Sequence, residues 1–317
     1  MKKYTNIKLL IIFAIIICGI FIGNKVNAAS IGTVDSLEEN KYPGFKEKIK
    51  MVQATYPNIK ILYTGLDWNT VIYNETSAAH GRNLVSTDSS KEWICQHCKA
   101  NGVLYDSGLY CASDEAVRYV MDPRNYLTPR DIFQFQKLNT PVGTTEKEIQ
   151  TVLQYQNVTY LQNDSDAIKA FTKVATNNSL NAYHLITRII QEQGRSGTST
   201  LSSGLGYTGN GYTNYGYGYF NLFSIGATRK SSDPVYKIYL NALDRAAIEG
   251  WKTRALSISG GGKFVGNQYI DVGQNTLYLQ KFAVYNTNGQ LYWHQYMQNL
   301  FAAQNEASIL YKCYQAT

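Results

Sequence analysis

The chain has 317 residues, 30 Lys and Arg against 23 Asp and Glu, a formal charge of +7, and 26 tyrosines. That length can bury a large core in one elaborate domain or two smaller ones. The positive excess is too mild for a nucleic-acid reader, which needs a basic stripe, so no nucleic-acid partner is expected.

Residues 1–28 read as a secretory signal peptide. Lys2, Lys3 and Lys8 lead into an apolar run from Leu9 to Ile22, and Val26, Asn27, Ala28 and Ala29 form a small-residue cleavage pattern, cut after Ala28. The run is shorter than the ~20 residues a membrane span needs, so removal is favoured over a retained anchor. Cys18 belongs to this leader. Without Lys2, Lys3, Lys8 and Lys25 the charge falls from +7 to +3, a small excess that suits work beside an anionic cell wall. The mature chain is expected to be secreted or wall-associated, monomeric, and without a stable membrane anchor.

Residues 29–42 look like a linker, and 43–143 like a mixed α/β region. Phe45, Ile49 and Val52 share a helix face, and Pro57 ends that helix. Residues 59–63 alternate like a strand, and Asp67 caps a helix running to Asn74. Residues 76–90 are polar and loop-like. Ser113 opens a helix to Val120, and Thr128 to Asp131 opens another through Phe133 and Phe135. From 144 onward the pattern is mostly helical. Thr145 and Glu148 make a capping box, Ser165 caps the next helix, and Asn181 caps the one ending at Gly194. No periodicity runs from 195 to 218; helices resume at 233–253, 260–269, 275–282 and 292–317.

Four cysteines follow the leader: Cys95, Cys98, Cys111 and Cys313. Secretion permits disulfides, and Cys95–Cys98 with Cys111–Cys313 is one of three pairings. A structural zinc, with His97 as a substitute ligand, fits the spacing equally well.

Chemistry concentrates on the helix before Gly194. Leu185, Ile186, Ile189 and Ile190 form one stripe, with Glu192 at its edge. The helix C-terminus and the apolar neighbours both disfavour an ionised carboxylate there, the condition a general acid in sugar hydrolysis requires. The plain alternative is a solvated Glu192 paired with Arg188 one turn earlier. Five tyrosines (207, 212, 215, 217, 219) then fall within 13 residues, apolar rings with polar rims suited to a glycan. No Asp or Glu stands between Glu192 and Asp233. That favours a single-acid mechanism assisted by the substrate's N-acetyl group, with Asp271 as a reserve base. Neither G-x-S-x-G nor H-E-x-x-H is present.

Ordered blocks carry a family resemblance: Leu185 to Gly194, Tyr219 to Ala227, Gly261 to Phe264, Tyr269 to Tyr278, and His294 to Tyr296, preceded by Tyr56 to Lys60, Thr64 to Trp68 and Asp122 to Tyr126. Together they resemble the bacterial endo-β-N-acetylglucosaminidases of glycoside hydrolase family 73. The resemblance implies an α+β, mainly α fold, with a lysozyme-like catalytic core at 144–317 behind the smaller N-terminal region. It implies hydrolysis of the β-1,4 bond between N-acetylglucosamine and N-acetylmuramic acid in peptidoglycan, with no cofactor for catalysis. Glu192 then takes the general-acid position and Tyr296 a helping position at the reaction centre. Tyr217, Tyr219, Phe220, Asn221, Phe223 and Tyr269 are expected to bind the glycan strand. The cysteines depart from the family pattern. Rival readings are a catalytically silent wall-binding protein, or muramidase or lytic transglycosylase chemistry on a related fold.

Overall fold

The computed structural model describes residues 43–317 apart from 60, 63, 77–80, 103, 106, 107 and 231; the expected signal peptide and linker lie outside the described residues. In chain order the elements are α1 (Phe45–Thr55), α2 (Trp68–Glu75), β1 (Leu84–Ser86), α3 (Gln96–Asn101), β2 (Leu109–Cys111), α4 (Asp114–Met121), α5 (Glu146–Tyr155), α6 (Ser165–Asn178), α7 (Ala182–Gln193), β3 (Tyr207–Gly209), β4 (Tyr212–Tyr215), α8 (Lys237–Ile248), α9 (Arg254–Val265), α10 (Leu277–Phe282) and α11 (Ala302–Gln315). Short 3₁₀ turns include Asp131–Phe135, and a π turn, Gly266–Ile270, follows α9. The fold is mainly α, as expected, with two antiparallel two-stranded sheets, β1–β2 and β3–β4.

Local capping chemistry places the helix starts. The Thr145–Glu148 box is formed in both directions, and Asn181 accepts the His184 N–H at the head of α7. Asp67 and Ser113 cap α2 and α4 in the same way. Helix α6 begins one residue earlier than expected, because Asp164 rather than Ser165 takes the Ala167 N–H.

Other departures have long-range causes. Residues 128–135 make one 3₁₀ turn instead of an α-helix, since the next residues are drawn into extended pairing. The Lys137 N–H bonds the Asn58 carbonyl, the Leu138 N–H bonds that of Asn275, and Gln136 bridges Ile59. Among the described residues of the strand expected at 59–63, Ile59 makes that bridge alone. The aperiodic stretch 195–218 contains the β3–β4 hairpin. Asn210 and Gly211 turn it with φ of 50° and 84°, the left-handed pair a two-residue hairpin loop demands.

Two cores result. The larger one surrounds α7, whose residues 182–190 are all buried, and takes in α5, α6, α9, α11 and the 132–138 segment. Three successive glycines let α9 lie close to its neighbours. A Cβ at Gly260 would strike Trp251, one at Gly261 the Phe223 ring, and one at Gly262 the side chain of Val174 in α6. The smaller core gathers α2, β1, β2 and α4 against Leu279, Phe282, Tyr292 and Leu300. Both cores therefore draw residues from either side of position 143.

Candidate active site

The buried stripe Leu185, Ile186, Ile189 and Ile190 fixes the rotation of α7, and Glu192 emerges half-buried in its last turn. Gly194, at φ 71°, stops the helix two residues on. The opposite face of α7 is buried too, but it is polar. Arg188, 1% exposed, bonds Glu306 of α11 through Nε at 3.2 Å and donates Nη2 to Gln280 Oε1 of α10 at 2.6 Å. Glu306 also accepts the Thr187 hydroxyl at 2.9 Å and lies 2.9 Å from His184 Nδ1. Arg188 thus pairs with Glu306, and the i−4 pairing with Glu192 is not made. Against the cost of burial, Arg188 and His184 hold the Glu306 carboxyl below its ordinary range, while burial lowers His184.

Tyr296 completes the centre. Its hydroxyl donates to Glu192 Oε1, and its ring faces the Arg188 guanidinium 3.2 Å from the ring centroid. Burial pushes the phenol well above its ordinary value, against the opposing pull of Arg188, so it remains a proton donor. The Tyr296 N–H bonds the Gln280 carbonyl at 3.0 Å. Gln280 therefore orients both Arg188 and Tyr296. Tyr269, on the π turn, meets Tyr296 edge-on at 6.4 Å and stacks on His294 at 4.7 Å. A π turn widens the helix by one residue, a distortion often found at functional sites. Gln274 Nε2 holds the His294 carbonyl at 2.9 Å, and Gln191 Nε2 reaches Met297 Sδ at 3.2 Å. Asp271, just past the π turn, is exposed.

The remaining expected site residues divide. Tyr217 is 67% exposed, and Tyr219 and Phe220 are partly buried, Phe220 beneath the Arg254 guanidinium at 5.1 Å. Asn221 and Phe223 correct the expectation of a glycan contact, because both are buried. The Asn221 amide is consumed by the backbone: Nδ2 donates to the carbonyls of Ile225 and Ala242 at 2.8 Å, and Oδ1 accepts the Ile225 N–H at 2.9 Å. Its loop is tied to the end of α7 by Gln193 Nε2, 2.9 Å from Ser224 Oγ. Asn221 and Phe223 therefore shape the loop beside Glu192 from beneath.

The four cysteines are not one site. Cys95, Cys98 and Cys111 converge in the smaller core, Cys95 and Cys111 close enough to join as a disulfide, whereas Cys313 is buried in the larger core beside Gln156 Nε2 at 3.5 Å. Pairing Cys313 with Cys111 is thereby corrected. Sequence reasoning missed Gln280 and Glu306; no local signal marks them, since they act across 92 and 118 residues from Arg188.

Fold and centre together define an α-rich domain organised about one acid and one phenol. The chain is 34% identical over 210 residues to the Beta-N-acetylglucosaminidase of Bacillus subtilis, covering 64% of this chain and 21% of that protein. It is 27% identical over 267 residues to the Bifunctional autolysin of Staphylococcus epidermidis, covering 84% of this chain and 18% of that one. The chain thus spans about a fifth of the length of these curated relatives. No family model matches it. A solved structure of a catalytic mutant of S. aureus Autolysin E, in complex with the disaccharide NAG-NAM, shares the fold: TM-score 0.50, 19% identity, 78% of this chain and 90% of that one. The resemblance to glucosaminidases drawn from the motifs is borne out by these relatives. Among the described residues no helix is long and apolar enough to cross a membrane.

Proposed function

We propose that the protein is a secreted peptidoglycan hydrolase, an autolysin-type endo-β-N-acetylglucosaminidase that cleaves the β-1,4 bond between N-acetylglucosamine and N-acetylmuramic acid. The observation that carries this reading is the contact between Tyr296 and Glu192 at the open end of α7. With Tyr296 donating to Oε1, Oε2 is the oxygen left to carry a proton to the glycosidic oxygen. The 2-acetamido oxygen, or a water, attacks the anomeric carbon as the bond to the leaving sugar breaks. Glu192, then ionised, takes the proton of the water that completes hydrolysis. The diversion of Arg188 to Glu306 supports this role, since it keeps a cation's direct pairing away from the acid.

Tyr269, Tyr219, Phe220 and Tyr217 offer ring faces for the strand. Catalysis needs no cofactor in this reading, any zinc at the cysteines is structural, and the working unit is a monomer. Digestion of purified cell walls, with the new reducing ends identified by mass spectrometry, tests it. Reducing-end N-acetylglucosamine is the expected product. Reducing-end N-acetylmuramic acid, anhydro sugars, or binding without turnover would each reject the assignment.

A further inference from the structure

Cys95, Cys98 and Cys111 are all buried, and their sulfurs lie within 4.8 Å of one another. The convergence is built by the backbone. Cys95 caps α3 and Cys98 lies one turn into it. Cys111 ends β2, and the Cys95 N–H bonds its carbonyl at 2.9 Å.

A disulfide between Cys95 and Cys111 uses two of these sulfurs and strands the third, yet Cys98 Sγ sits 2.7 Å from Cys111 Sγ, inside the same cluster. Two backbone donors also aim at sulfur. The Cys98 N–H lies 3.3 Å from Cys95 Sγ, and the Cys111 N–H lies 3.3 Å from Cys98 Sγ. Hydrogen bonds of this kind strengthen when the acceptor is ionised, and the thiolate is the form that binds a soft metal. A tetrahedral zinc with Zn–S bonds of about 2.3 Å spaces its sulfurs about 3.8 Å apart, a separation these three reach by small side-chain shifts. The surroundings call for a staple as well, because β1 and β2 have three residues each and α3 has six. Elements this short hold together only through what they are tied to.

We infer that Cys95, Cys98 and Cys111 form a three-sulfur site for a thiophilic tetrahedral metal ion, zinc foremost, which staples α3 to the β1–β2 sheet. A fourth, non-sulfur ligand completes the tetrahedron; His97 lies on the exposed side of α3, outside the sulfur cluster. Cys313 takes no part. This inference is independent of the glycosidase reading.

The test is metal analysis of the full chain purified without added reductant, with each thiol located by alkylation and mass spectrometry. The metal site predicts one zinc per chain and alkylation of Cys95, Cys98 and Cys111 only after chelation. Chelation also lowers the melting temperature, and replacing zinc by cobalt gives a thiolate charge-transfer band. Cys98→Ala should lose the metal and melt several degrees lower, and Cys313→Ala should keep the metal. Metal-free protein with a Cys95–Cys111 cross-linked peptide and an alkylatable Cys98 overturns the proposal. So does a Cys98→Ala variant that melts like the parent. If Cys98→Ala does not fold, the metal content and chelator response of the parent decide the matter alone.

Discussion

The two cores are stabilised by different means. Around α7 the helices run 10 to 14 residues, mostly with side-chain caps, and the buried acid Glu306 meets Arg188, His184 and Thr187 together. The smaller core has three-residue strands and helices of six to eight residues, and it buries Glu75, Lys281 and three cysteines among its apolar residues. Its polar groups reach far along the chain. Lys281 Nζ bonds Asn83 Oδ1 at 2.6 Å, and Gln295 Nε2 bonds Glu75 Oε2 at 2.7 Å. Both cores carry distant polar contacts, Arg188 to Glu306 among them; where elements are long, local propensity and apolar burial form the elements themselves, whereas short ones also depend on such contacts. The proposed catalytic pair straddles the divide, with Glu192 on the large core and Tyr296 next to Gln295, which the small core holds.

Variants sharpen this comparison. Glu192→Gln should leave the melting temperature nearly unchanged while cutting wall hydrolysis by roughly 10²–10⁴-fold, the usual range for a general acid; turbidity loss of cell-wall suspensions measures it, and full activity would falsify the mechanism. Glu306→Gln strands Arg188 in the large core and should cost about 3–5 kcal/mol, read from urea unfolding. Glu75→Gln should cost less, roughly 1–3 kcal/mol. Burial has already pushed Lys281 down to about 8, so that amine can shed its proton when the acid is removed, and Arg82, 3.9 Å from Glu75, keeps its place over the Trp293 ring. Equal costs for Glu306→Gln and Glu75→Gln would erase the contrast between the cores. Tyr296→Phe removes one hydrogen bond to a carboxylate, worth about 1.5–3 kcal/mol, and should lower kcat together with a drop of several degrees in melting temperature.

The smallest expected effect concerns pH. Burial holds His184 below its ordinary 6.5, so under that pH the unfolded chain takes up a proton that the folded chain refuses. Glu306, held below 4.5 chiefly by Arg188 against the cost of its burial, acts with the same sign further down. Stability should therefore fall as the pH drops below 6.5 and more steeply below 4.5, seen as a decreasing melting temperature. A flat profile between pH 7 and 4 would contradict this.

Much of the large core was legible because its signals are local. The Asn181 cap, the four-residue apolar stripe and the Gly194 stop all lie within 14 residues, and they placed α7 to the residue. The small core was not legible, since β1 and β2 are too short to show a period and form by pairing with each other and with distant segments such as Gln298 to Leu300. The β3–β4 hairpin was hidden for the same reason, although Asn210-Gly211 is a turn signal that could have revealed it. At the site, Glu192 and Tyr296 were named from motif, but the reason Arg188 leaves Glu192 free was not visible. It depends on Glu306, which no helical spacing brings near. Asn221 misled because a polar residue in an aromatic motif resembles a ligand contact, whereas this one bonds its own loop.

The contact between residues 192 and 296 also bears on timing. The two side chains stand 104 residues apart, so the acid is made well before the matching phenol, and Tyr296 is held in place only when the Gln280 carbonyl takes its N–H. A centre assembled in that order is complete only when nearly the whole chain has folded.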